Sequence, residues 1–189
     1  AIETEGLVDR IEGEGPVEVS RAGETITADR VIVAAGPQSS AELTGVNAIP
    51  TEGRSTVTQY FSLPERNPVG KQPRILLNAG GHVPNQVSVL SAVAPSYGPS
   101  DRHLLSASTP GHLEEDEATL ARQTQIALGS WYPEASFEDL QLLETIRIPF
   151  AQFAQPPGIH DSLPDVTAPS GEVYLAGDFT EDSSINGAL

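Results

Sequence analysis

The run Val31-Ile32-Val33-Ala34-Ala35 is the feature that most narrows what this chain can become. Consecutive apolar residues with nothing polar between them read as a strand buried on both faces, as inside a parallel sheet. The residues before it behave differently. Val17 and Val19 alternate with Glu18 and Ser20, while Leu7, Val8 and Ile11 form a looser apolar piece, and turn signals at 13–16 and 22–24 separate the three. Alternation predicts antiparallel strands with one wet face. A meander ending in a doubly buried strand predicts a return into a larger sheet whose other strands lie outside this sequence.

Downstream the pattern changes again. Strands are expected at 56–63, 74–79, 86–94 and 102–109, with Gly- and Pro-rich breaks between them, which suits an antiparallel sheet in a second domain. Residues 113–130 form the one convincing helix: Glu114, Glu115, Asp116 and Glu117 crowd its start, where the helix dipole favours negative charge, and Leu120, Ile126 and Leu128 supply an apolar stripe. A long strand follows over 136–148, with Pro149 expected to end it, and 158–170 is a Pro-rich connector. The fold class is therefore α+β, an antiparallel or mixed sheet with one main helix plus a few strands of a separate unit.

Composition narrows the functions. With 189 residues and 38% hydrophobic content the chain can bury a core, and it has no cysteine, so thiolate chemistry and disulfides are excluded. A formal net charge of −16, with Lys71 the one lysine, would repel phosphate backbones and anionic lipid. Nucleic acid is not an expected partner and membrane association is not indicated. With no apolar run long enough to span a bilayer, the chain is expected to be soluble and cytoplasmic. It contains no methionine, opens on Ala1 and stops where a helix is expected to begin, so both ends are expected to be cuts from a longer protein.

Three patterns carry possible chemistry. Ala35 and Gly36 close the first buried strand with small residues that let another group approach. Val173-Tyr174-Leu175-Ala176-Gly177-Asp178 is a second buried strand that delivers a carboxylate at its C-terminal end, where ligands bind in open α/β sheets. Asp178 either accepts hydrogen bonds from a ligand's hydroxyls or caps the next turn. The small residues that follow, Ser183 to Gly187, would present unpaired backbone N–H groups at a helix start, a place for developing negative charge.

The closing stretch VYLAGDFTEDSSINGAL resembles the C-terminal flavin-binding motif of the FAD-dependent amine oxidase and phytoene desaturase superfamily. VIVAAGP, preceded by GETITAD, resembles the strand with which that family returns to its FAD domain. VLSAVAPSYGPSDRHLLSASTPG and IRIPFAQFAQPPG look like its substrate-domain strand pair and the strand leading back to the flavin. The resemblance implies domain boundaries at 1–36 (meander and returning strand of the FAD domain), 37–150 (substrate domain) and 151–189 (return with the flavin motif). It implies FAD as cofactor: Val8 would meet adenine through its backbone, Ala35 and Gly36 would pass near the dinucleotide, and Gly177 and Asp178 would hold its ribityl or pyrophosphate part. Ser184, Ile185 and Asn186 would approach the isoalloxazine. Phe150, Gln152 and Phe153 would line the substrate side, with core packing the other reading of the two phenylalanines.

The family's Gly-x-Gly-x-x-Gly turn and ribose-binding acid are absent here and would precede Ala1. The expected partners are thus a small-molecule substrate and the missing N-terminal segment of the FAD domain, and the isolated chain is expected to bind FAD poorly and to be inactive. The implied activity is oxidation or desaturation of a C–H bond by hydride transfer to FAD, with no general base that can be named. A non-catalytic ligand-binding or structural domain is the alternative. His82, His103, His112 and His160 lack metal-ligand spacing, so no metal is expected, and only His160, just past Pro156-Pro157-Gly158, is placed near the flavin. Ser39-Ser40 and Ser183-Ser184 lack a nucleophile-elbow context.

The acidic surface has two readings, ordinary solvation or adaptation to high salt, where screening relieves self-repulsion. On the second, the melting temperature of the chain rises with added potassium chloride; a flat or falling curve would discard it.

Overall fold

The alternating strands and the long amphipathic stretch seen in the sequence build two sheet-based units. The computed structural model describes residues 2–13, 15–80, 83–169 and 171–188. One compact unit combines Ala1–Gly53 with Gln152–Leu189, and the other is Arg54–Ala151.

In the first unit, strands β1 (Arg10–Glu12), β2 (Val17–Arg21) and β3 (Glu24–Ala28) form an antiparallel meander in which Ile11, Val19 and Ile26 are in register. The β2–β3 turn needs positive φ at both central residues, and Ala22 (φ 47°) and Gly23 (φ 84°) provide it, a hairpin geometry matched to strand twist. The Ala22 N–H donates to Asp9 Oδ2 at 2.8 Å, which helps hold a non-glycine residue in that region. β4 (Val31–Val33) pairs in parallel with β10 (Val173–Leu175), Val33 opposite Leu175. Helix α1 (Pro37–Thr44) follows β4 directly, with proline at its first position and Gly45 in the left-handed region at its end.

The expectation that residues 31–35 are buried on both faces is corrected. The strand stops at Val33, and while Val33 is 4% exposed, Ile32 is 69% exposed. Alternation along a strand sends neighbours to opposite faces, and among the described residues β4 has one strand partner and one bare face.

The second unit is a sheet of five strands, in the order β6 (Ile75–Leu77), β7 (Gln86–Val89), β8 (Arg102–Pro110), β5 (Gly53–Pro64), β9 (Gln141–Phe153), with β6–β7, β7–β8 and β8–β5 antiparallel. Helix α3 (Glu117–Trp131) covers one face. Period-two burial on β5 places Val57, Gln59, Phe61 and Leu63 on that face, and Val87, Val89, Leu105, Ala107, Leu128 and Phe137 complete the core around Phe61 and Leu63. Full burial of side chains of this size contributes about 1.5–3 kcal/mol each.

Ile126, expected in the apolar stripe of α3, is 64% exposed, and the strand expected from residue 136 begins at Gln141. Two further sequence expectations fail here for identifiable reasons. Residues 86–94 do not form one strand: β7 ends at Val89 and a single helical turn, α2 (Leu90–Val93), replaces its continuation. The buried Ser91 hydroxyl takes the Leu104 N–H at 3.0 Å, so the chain satisfies β8 without a ladder. Pro149 does not end its strand, because β9 lies at the sheet edge, where a missing N–H on the outer side leaves no bond unmade.

The acids at the start of α3 divide into roles. Asp116 is the N-cap, accepting the Thr119 N–H at 2.8 Å and the Thr119 hydroxyl at 3.0 Å, and these bonds hold its carboxyl below the ordinary value of 3.8. Because the folded value is depressed, the cap stabilises fully at neutral pH and is lost as pH falls below 3.8 toward the folded value. Asp116→Ala is expected to lower the melting temperature at neutral pH, and the gap from the parent chain should close in strong acid when melts are followed by circular dichroism.

Candidate functional site

The parallel pairing of β4 with β10 sets the geometry of the site. The Ala176 N–H donates to the Val33 carbonyl at 2.9 Å, carrying the register one step past the strand ends. Ala34-Ala35-Gly36 and Ala176-Gly177-Asp178 therefore leave the sheet at the same, C-terminal edge. All of these side chains are small except the carboxylate. A side chain at Gly36 would meet nothing within 4 Å, so the edge is open there.

Beside this edge lies a cavity of about 610 Å³, lined by the chain's first segment, by β4 and by α1. Val8 and Ala35 both line it, so the fold brings together two residues far apart in sequence. Leu7 and Ile32 supply an exposed apolar wall, at 81% and 69% exposure. Exposed large apolar side chains grouped around a concavity mark a surface that something covers. Ser39 and Glu42 of α1 add polar groups at its side. Asp178 and residues 184–186 do not line this cavity.

Asp178 opens a short 3₁₀ turn, Asp178–Thr180, and accepts the Ser183 hydroxyl on Oδ2 at 3.0 Å. Its other oxygen has no donor among the described residues. Gly177 is required here by contact: a Cβ would lie 2.5 Å from the Phe179 ring, which is itself 1% exposed.

The terminal stretch makes one helix-like turn. The Ala188 N–H reaches the Ser184 carbonyl at 3.2 Å, and the Gly187 N–H reaches the Ser184 hydroxyl at 3.1 Å. Ile185 and Asn186 are exposed and their N–H groups have no acceptor among the described residues. A Cβ on Gly187 would collide with the Asp182 backbone, so this turn also depends on glycine.

Sequence reasoning did not find what holds this turn in place. Gln155 accepts the Ser183 N–H on Oε1 at 3.2 Å, and His160 Nδ1 lies 2.9 Å from the Glu181 carbonyl. A carbonyl can only accept, so Nδ1 carries the proton. The loop after β9 thus clasps the segment after β10 from two points. His160 is exposed, and its place beside residue 181 follows from the loop rather than from any local pattern.

β9 carries the remaining expected residues in alternating directions. Phe150 is half-buried and Gln152 exposed on one side of the strand, while Phe153 is fully buried on the other. His103 packs its ring on Gly70 and contacts the Glu65 carbonyl, and His112 is exposed. His82 and Leu189 lie outside the described residues, and among those residues no group of His, Asp and Glu side chains could hold a metal ion. No described helix is long and apolar enough to cross a membrane.

A family model described as flavin containing amine oxidoreductase matches residues 6–189. No curated protein sequence matches the chain. Solved structures do. An oxidoreductase from Methanosarcina mazei superposes with a TM-score of 0.68 at 16% identity, over 97% of this chain and 46% of that one. Cyclohexylamine oxidase from Brevibacterium oxydans gives 0.66 at 16% identity, over 96% and 45%. A reduced UDP-galactopyranose mutase gives 0.64 at 13% identity, over 95% and 42%. The chain therefore spans less than half the length of these structures, with which it shares a fold. Their differing names show that the fold alone does not select a reaction.

The glycine contacts at the strand end lead to a direct expectation. Gly177→Ala forces the Phe179 ring out of its place and should destabilise the chain by about 1–3 kcal/mol in denaturant titrations, as overpacking of a close contact does.

Proposed function

Because the chain belongs to the family of flavin containing amine oxidoreductases, we propose that the whole protein is an FAD-dependent oxidoreductase that takes hydride from a C–H bond of a small substrate. The observation that carries this reading is the shared edge of β4 and β10, where two parallel strands end in small residues and one carboxylate.

The residues suit a flavin dinucleotide by their chemistry. Val8, Ala35 and the open position at Gly36 offer a flat apolar approach for an adenine and its neighbouring phosphates. Asp178 keeps one carboxylate oxygen uncommitted, as required to accept a hydrogen bond from a sugar or ribityl hydroxyl. The N–H groups of Ile185 and Asn186 are unused donors of the kind that offset negative charge on a ring edge.

When bound, the flavin supplies the two-electron acceptor. The chain's own part is to bind and orient. Asp178 positions the polar arm, and Gln155 with His160 keeps the 181–186 segment in place for its N–H groups to act. Phe150 and Gln152 are the proposed substrate-side residues. Their aromatic and amide character suits a wall that excludes water and still offers a hydrogen bond. No side chain here needs to act as a strong base: hydride leaves with its electrons, and the cation left behind is acidic enough to release its proton to water.

The test is made on the full-length gene product. It should purify yellow, and Asp178→Ala should weaken FAD binding by roughly tenfold or more in a flavin-fluorescence titration, the effect of losing a charge-assisted hydrogen bond. A colourless full-length protein that ignores added FAD would leave only the non-catalytic reading.

A further inference from the structure

At the end of β10, Asp178 has two roles open to it: to cap the turn that follows or to meet a ligand. Among the described residues no backbone N–H donates to its carboxylate, so it does not cap the turn. Its one donor there is a side chain, the Ser183 hydroxyl, 3.0 Å from Oδ2. The turn closes without the carboxylate, through the Thr180 N–H to the Gly177 carbonyl and the Glu181 N–H to the Asp178 carbonyl, both at 3.2 Å.

Both ends of the Asp178–Ser183 bond are fixed independently. On one side, a Cβ on Gly177 would lie 2.5 Å from the Phe179 ring, which is 1% exposed, so the Asp178 backbone is tied on either side to a buried anchor. On the other, the Ser183 N–H donates to Gln155 Oε1 at 3.2 Å. Gln155 is itself restrained: the Pro156 ring confines the residue before it to extended backbone, and the neighbouring Ala154 N–H bonds the Glu52 carbonyl at 2.9 Å. A carboxylate on an unrestrained side chain loses rotamer freedom when it binds a ligand, whereas one already held through a single oxygen loses little more. A hydroxyl on an anion is the stronger, charge-assisted kind of bond, and this one leaves Oδ1 as an acceptor.

We propose that Ser183 and Gln155 are positioning residues that hold the Asp178 carboxylate in one rotamer, with Oδ2 occupied and Oδ1 ready to accept a hydrogen bond from a hydroxyl of FAD. Gln155 fixes the Ser183 backbone, Ser183 fixes Oδ2, and Asp178 alone of the three touches the cofactor. The role rests on the flavin reading of Asp178 given above.

The full-length protein is titrated with FAD by flavin fluorescence. Ser183→Ala should weaken binding roughly three- to tenfold, the cost of ordering one side chain, and Gln155→Ala should act in the same direction. In an Asp178→Ala background Ser183→Ala should have no further effect, whereas a serine that merely supports the fold costs the same affinity in both backgrounds. Equal losses in the two backgrounds, or unchanged affinity in Ser183→Ala alone, overturn the proposal and leave the flavin reading standing. A parent protein that binds no FAD overturns the flavin reading and this role with it. The 189-residue chain gives a readout without cofactor. Three-bond couplings to the Asp178 β-protons should report a single χ1 rotamer, and Ser183→Ala should average them. Averaged couplings in the parent chain overturn the proposal, whatever the variants do.

Discussion

The parallel pairing of β4 with β10 is the constraint on which the first unit depends. Each strand is three residues long, and the two are about 140 residues apart in sequence, so closing the pair carries the entropy cost of a long loop. Parallel pairs are slightly weaker per residue than antiparallel ones, and so short a ladder cannot hold by its hydrogen bonds alone. It is held by burial of Val33, Val173 and Leu175 and by residues 166–168, which bond back to β10 through Leu175 N to Val166 O and Ala168 N to Val173 O. The chemistry of the edge follows from this. Without the pairing, Ala35-Gly36 and Gly177-Asp178 would be unrelated pieces of chain.

The second unit rests on a different balance. Its sheet and the helix on it place a continuous apolar core around Phe61 and Leu63, and its polar insertions are placed where the backbone needs them. Gln59 bonds the Glu117 carbonyl and the Thr145 hydroxyl, and Asn67 caps a short turn through the Val69 N–H at 3.0 Å while donating to the Ser136 carbonyl at 2.7 Å. Buried polar groups of this kind fix one arrangement of elements because any other would leave them unpaired.

Much of this was legible in the sequence. The meander, β5, β8 and α3 follow from period-two and helical patterns, which reflect how side chains must face a core. The Gly-Asp at the end of an apolar run placed a carboxylate just past a strand end, which is where Asp178 follows β10. Other features were not legible. Residues 86–94 read as one strand because a short apolar run has no period of its own, and the Ser91 hydroxyl that makes the helical turn tolerable acts on β8, a separate segment. Pro149 read as a strand end because whether proline is tolerated depends on being at an edge, which only the strand order reveals. The clasp of Gln155 and His160 on residues 181–183 has no sequence signal at all, since each bond joins a side chain to a distant backbone group.

By itself the sequence determined the types of the principal elements, the acidic character, the absence of thiol chemistry and the two strand ends that could meet a ligand, because these depend on residue identity and local periodicity. Only the tertiary structure decided that the two ends share an edge, that Ile32 is bare while Val33 is buried, and that Val8 and Ala35 line one cavity. Each of those is set by which segments become neighbours, and neighbours are chosen by burial summed over the whole chain rather than by any stretch of it.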